Sequence, residues 1–307
     1  MRSLSLVWML TVVAEFVIIS VSDAQTLPFV ESGGSGSTAV DFEFRLDGTF
    51  IEKGIGASPT LSGSDLGAGT RLLWYPALSA FRAGTVTGTQ WDLANIGQYS
   101  VAMGYNDQAG SNSIALGYIN TVGSAAPGDA SIAIGANNTV TDGYAFGSSN
   151  TATGGFGPSY AIGQTNTATG GFNLALGYSN TATMGGIALG QSNSALAFGA
   201  SAIGQFNSAT AQGATALGYS TTASAPLSVA LGYIVNAAVY SSVAVGTYNV
   251  GVGSATTWVA TDPLFEVGNG TSSHPSDALL LDKSGNLTVK TVTVTAAAGD
   301  IPMFTGN

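Results

Sequence analysis

The sequence has a single histidine, His274, the residue type that most often serves as general base beside a nucleophile. It stands in Ser272-Ser273-His274-Pro275, a turn-like polar stretch, and no spacing of serine and carboxylate around it assembles a Ser-His-Asp set. Cysteine is absent, which removes thiolate nucleophiles, disulfides, thiolate metal sites and a lipoprotein anchor. The acidic residues of the middle region, Asp107, Asp129 and Asp142, are sparse, and no two are spaced as a pair for glycoside hydrolysis. They read as corner residues. An isolated calcium contact is the alternative, although calcium-binding β-rolls carry an Asp in every unit. The run Gly33-Gly34-Ser35-Gly36 lacks the lysine and following helix of a phosphate loop and reads as linker. Trp74, Tyr75 and Trp91 suggest either an exposed binding patch or the plug of an open structural end, and the plug is the expected role. These residues point away from catalysis and call for no cofactor.

The composition agrees with a structural rather than a catalytic chain. Gly contributes 43 of 307 residues, roughly twice ordinary usage, while only 8% of residues are charged. A hydrophobic share of 45% with so little charge excludes an extended disordered chain. Much of that share is Ala, so the core is expected to be thin and closely approached. The net charge of −10 comes mostly from the ends, and no Lys or Arg occurs between Arg82 and Lys283. A surface that neutralises phosphates needs basic side chains along it, so nucleic acid and anionic lipid are poor partners.

The N-terminus reads as an export signal. Arg2 precedes a largely apolar stretch from Leu4 to Ser20, interrupted by Glu15, and Ser22-Asp23-Ala24 offers small residues at a cleavage site before Gln25. Glu15 breaks the run short of a membrane span, and no later stretch is long and apolar enough, so the mature chain is expected to have no transmembrane segment.

The elements that must carry any function are repeats. Ser-Val-Ala-Met-Gly at 100–104 recurs as Ser-Ile-Ala-Leu-Gly at 113–117 and Ser-Ile-Ala-Ile-Gly at 131–135, and eight further units end at Val-Ala-Val-Gly, 243–246. The closing glycines are 13, 18, 12, 16, 14, 13, 14, 14, 14 and 14 residues apart. A half-motif lies between them: Asn150-Thr151-Ala152-Thr153, Asn166-Thr167-Ala168-Thr169, Asn180-Thr181-Ala182-Thr183 and Asn207-Ser208-Ala209-Thr210. Two short period-2 segments per unit, separated by Gly/Asn corners, are the sequence form of one solenoid coil. Gly and Asn are expected at the corners because they tolerate positive φ. The long spacing around Ala126-Pro127-Gly128 reads as a loop insertion.

Alternation assigns the faces. In Thr-Ala-Thr the Ala points inward, which leaves Thr151, Thr153, Thr167, Thr169, Thr181 and Thr183 as candidates for an exposed face. In the Gly-terminated strands the inward Ala leaves Ile114, Leu116, Ile132, Ile134, Leu174, Leu176, Val229, Leu231, Val243 and Val245 pointing away from their own coil. Such an apolar stripe exceeds what a monomer exposes, so these ten residues are candidates for a subunit interface. The repeat itself does not fix the number of chains.

The pattern Asn/Ser-Ser-hydrophobic-Ala-hydrophobic-Gly over residues 98–254 resembles the YadA-like head of trimeric autotransporter adhesins. The resemblance implies an all-β fold, a left-handed parallel β-roll of 14-residue coils with irregular β-rich flanking regions. It also implies a homotrimer at a Gram-negative cell surface, binding host matrix or another surface. Past Gly253 there are no heptads of a stalk and no amphipathic strands of a terminal barrel. The expected organisation is a signal peptide (1–24), an irregular Gly/Ser-rich β region (25–60), a lead-in or cap (61–97), the head repeats (98–254) and a β-rich segment (255–307). The lead-in, with Gly69-Thr70-Arg71-Leu72-Leu73-Trp74-Tyr75-Pro76, and the tail, with Asp262-Pro263-Leu264-Phe265, resemble regions flanking such repeats in large secreted bacterial proteins. Two other readings remain: an ice-binding solenoid using the Thr-x-Thr ladder, and a structural spike or tail-fibre-like protein.

Overall fold

The computed structural model describes residues 27–29, 41–44, 50–53, 66–123 and 130–291. The expected signal peptide, the linker at 33–36, the insertion at 126–128 and Asp129 lie outside the described residues. Eleven long strands, from Val101–Tyr105 to Val243–Thr247, stack in parallel, and between them run ten short strands from Gln108–Ala109 to Asn236–Ala237. Each coil contributes one strand to each sheet, giving an all-β parallel solenoid with coils of about 14 residues.

Register is kept along the long-strand sheet of the roll, while the short-strand sheet shifts once, between Thr153 and Gly155. Ala133 faces Ala115 on one side and Ala145 on the other, and Gly135 likewise lies between Gly117 and Gly147. Inward alanines of both sheets form one fully buried core, joined by Val122, Val140 and Val235. The interior is narrow because it is filled by methyl groups. The strand glycines are needed for the same reason. At Gly163 φ is +114°, and a Cβ would lie 2.1 Å from the carbonyl oxygen of Gly177 in the next coil.

The corners meet the Gly/Asn expectation in part: Asn106, Asn112, Asn137, Gly185, Gly199 and Gly213 take positive φ. Asn150, Asn166 and Asn180 do not supply the positive φ; the preceding Ser149, Thr165 and Ser179 do, at 57°, 58° and 54°. The asparagine side chains are turned inward and buried. Their amides find partners at the position after the bend, while the bend itself falls on a residue with a Cβ, for which αL backbone costs roughly 1–2 kcal/mol.

The long-strand sheet continues beyond the repeats to 19 strands. Before them, Ala80–Val86 pairs in parallel with Val101–Tyr105 and antiparallel with Gly69–Tyr75. The described strands Phe50–Lys53, Asp41–Phe44 and Leu27–Phe29 add further antiparallel pairs. After the repeats, Pro263–Asn269 pairs in parallel with Val243–Thr247, and Asp277–Asp282 and Leu287–Val289 follow antiparallel.

Candidate interaction surfaces

The outer face of the long-strand sheet carries two files of side chains. One includes Ile114, Ile132, Leu174, Val229 and Val243; the other includes Leu116, Ile134, Leu176, Leu231 and Val245. The structure places all ten on this face in two registered columns. Ile134, Leu176 and Leu231 are the most open of them, at 39%, 41% and 43% exposure, and the others are half-buried by their neighbours along the column. Ser201 and Thr215 are the small polar members of the first file, and the second is apolar in every coil. A third file borders them, with Tyr105 stacked on Tyr118 and Tyr219 on Tyr233 at 5.1 and 5.2 Å between ring centres. The Gln205 side-chain amide donates to that of Gln191 in the same column. Apolar in the middle with an amphipathic border, this face has the make-up of an interface core and rim.

The short-strand sheet presents hydroxyls. Thr151 and Thr153 lie in register with Thr167 and Thr169, and these with Thr181 and Thr183. The array begins one coil earlier than the Thr-Ala-Thr motif suggests, with Thr139 and Thr141 flanking Val140. All six sequence candidates are half-buried, whereas Thr139 and Thr141 are exposed. Among the described residues, the hydroxyls of Thr139, Thr151, Thr153, Thr167, Thr169 and Thr181 have no hydrogen-bond partner, and that of Thr183 is buried without one.

Between the sheets runs a polar file that sequence reasoning missed. Asn166 donates from its backbone N–H and from Nδ2 to Oδ1 of Asn150, at 3.0 and 3.1 Å. The same Nδ2 donates to the carbonyls of Ile162 and Gly177. Asn120, Asn138, Asn150, Asn180, Asn193 and Asn207 repeat the pattern, each leaning on the residue one coil earlier. The ladder starts on the carboxylate of Asp107, which accepts from Asn120, and ends on Thr221, whose hydroxyl donates to Asn207. The sequence signal is a fixed spacing: an Asn three residues after the strand glycine, as in Gly147/Asn150 and Gly204/Asn207.

Both ends of the alanine column are closed by a charged group. Arg82 occupies the Ala register, facing Ala102, and is fully buried. Its guanidinium donates to the carbonyls of Phe81, Ser100 and Ala109 and to the Ser100 hydroxyl, all neutral oxygens. Burial without a counter-ion pulls its pKa down to about 10. Trp91 is buried in the same alanine core, its indole donating to the carbonyl of Asp107 before the first full coil. Trp74 does not join this core: it is 41% exposed on the outer face. At the far end Glu266 faces Ala244 and accepts from the Asn249 amide and the Gly251 N–H. Burial raises its pKa, as it does that of Asp107, with the hydrogen bonds opposing the shift.

The remaining chemical candidates stay apart. His274 lies in an exposed turn with Nδ1 2.9 Å from the Ser273 hydroxyl. Asp142 bends the corner beside Gly143, at φ 51°. Among the described residues, no three His, Asp or Glu are grouped to hold a metal ion, and no helix is long and apolar enough to cross a membrane. Residues 109–138 and 209–233 each match the YadA head domain repeat. No curated protein and no solved structure matches the chain.

Proposed function

We propose that this chain, whose solenoid includes two stretches that match the YadA head domain repeat, forms the head of a homotrimeric surface adhesin exported to the outer face of a Gram-negative cell. The observation that carries the reading is the two-file apolar face. Eleven strands at about 4.8 Å spacing make a stripe roughly 50 Å long without a charged side chain. Soluble monomers rarely leave such a stripe in water, and closed cyclic symmetry covers it without running into fibres. Three copies is the number found in adhesins built on this repeat. Ordered side by side, they leave the short-strand sheets and corners outward, and adhesion falls to these repeated surfaces rather than to a pocket. No catalytic step is assigned to them.

Sedimentation of the purified chain tests the assembly, with three chain masses expected; a stable monomer overturns it. Beads coated with the chain are expected to be retained on matrix-coated or abiotic surfaces under flow, and retention equal to that of uncoated beads overturns the adhesive role. The free, registered Thr hydroxyls favour a second reading, binding of an ordered hydroxylated surface such as ice. Thermal hysteresis in the purified chain supports that reading, and its absence removes it.

A further inference from the structure

We propose that the self-association surface is not confined to the repeats but continues, in register, onto the strands before and after them, and that its occupant there is the same flank of a neighbouring copy. This rests on the trimer reading above. In the first flank, Phe81 and Ala83 stand opposite Val101 and Met103, and Trp74 and Leu72 stand opposite Phe81 and Ala83. In the last, Phe265 and Val267 stand opposite Val243 and Val245; Leu281 and Leu279 follow, then Leu287 and Val289. Residues paired across neighbouring strands share a face whether the pairing is parallel or antiparallel. The two apolar files therefore cross both changes of strand direction and run as far as Leu72/Trp74, beyond which the next strand sets Glu52 opposite Leu72.

The inner side of the flanks behaves differently. Arg82 and Glu266 enter the alanine register there and end the core. Termination inside and continuation outside are thus separate events on the same strands. A strand serving only to cap the roll has no reason to keep two apolar residues facing water, yet Leu287 is 60% and Trp74 41% exposed. From Leu72 to Val289 the two files hold no charged side chain, so a partner recognised through charge does not fit them, whereas an identical apolar file does.

Area points the same way. Two strands before and three after the eleven extend the stripe to roughly 75 Å, which at a width of about 10 Å is on the order of 700 Å² per chain to divide between two neighbours, against about 500 Å² for the eleven repeat strands alone. Cyclic symmetry about an axis parallel to the roll sets each strand level against its own equivalent, so the flanks meet flanks.

The test is Leu287→Asp combined with Val289→Asp in the complete chain, with Thr288→Asp on the opposite side of the same strand as control. Dilution monitored by light scattering is expected to place the dissociation midpoint of the double variant at least tenfold higher than that of wild type and of T288D. A trimeric wild type whose double variant dissociates no more readily than T288D overturns this inference and leaves the trimer standing. A monomeric wild type overturns the underlying reading. Since the chain has no cysteine, Leu287→Cys gives a second readout that does not depend on the double variant folding. Oxidation is expected to link chains through this residue, and a product that stays single-chain in a trimeric sample counts against the inference.

Discussion

In the middle of the roll, at Asn150, Asn166 and Asn180, one neutral residue serves as both donor and acceptor, and its needs are met by identical copies one coil away. At the ends that reciprocity fails. Asp107 replaces Asn where no earlier rung exists and leaves Oδ2 buried without a partner. Arg82 and Glu266 replace Ala where the column stops, each held by neutral groups rather than by an opposite charge. The middle is stabilised by repetition, the ends by charges whose burial has a desolvation cost. A repeat solves hydrogen bonding only for a coil with two neighbours, so the terminal coils need residues outside the pattern.

The largest expected effect breaks the middle. Asn166→Ala removes the acceptor of the Asn180 N–H and Nδ2, and strips the Ile162 and Gly177 carbonyls of a donor, all inside the roll. Leaving several buried groups unpaired is expected to cost about 3 kcal/mol or more. Urea unfolding followed by circular dichroism measures it; a loss below about 1 kcal/mol would show that water replaces the amide and that the ladder is not a main source of stability.

The ends are expected to respond to pH where the middle does not. Glu266 has a folded-state pKa raised above its ordinary 4.5, and Asp107 one raised above 3.8, both chiefly by burial. The folded state thus binds these protons more tightly than the unfolded state does. Stability from these groups is fully present below the ordinary values and is lost as pH rises through the raised ones. Asp282 runs opposite: four hydrogen bonds from Ser284 and Asn286 hold it down at about 2. Its contribution is present above 3.8 and lost as pH falls through about 2. Melting temperature is therefore expected to rise on mild acidification before falling in strong acid. Asp277 is likewise raised by burial and adds to the same rise, so Glu266→Gln, Asp107→Asn and Asp277→Asn together are expected to erase it and leave the strong-acid fall. A rise that survives all three substitutions would remove the assigned cause.

Much of this architecture is written in the chain because its cause is local. The Gly spacing and the alternation around Ala115, Ala152 or Ala230 give coil, sheet and facing directly, since a one-residue slip would turn every Ala outward. The asparagine ladder was not read because Asn has two local uses, bending a corner or bonding inward, and only stacking decides between them. Arg82 and Glu266 were hidden for a related reason. Nothing near them in sequence resembles the repeat, and their place in the alanine register appears only when Ala80–Val86 and Pro263–Asn269 pair onto the roll. The outer files of the flanks are legible only through the same pairings.

The smallest effect lies where the ladder runs out, and it sharpens the comparison most. Asn207 is the last rung with an amide successor missing: its Oδ1 accepts from the Thr221 N–H and hydroxyl, at 2.9 and 2.6 Å. Thr221→Val removes the hydroxyl but keeps the N–H, so Oδ1 retains one donor and nothing else is orphaned. The volume is conserved, and the next coil already holds a buried Val235 at this level. The expected cost is about 1 kcal/mol, the net worth of one hydrogen bond, against the several lost at Asn166. Measuring both variants under the same urea conditions makes the ratio the result. Equal losses would mean that the rungs act as independent caps, whereas a clearly smaller loss at Thr221 means that stability accumulates through neighbours on both sides.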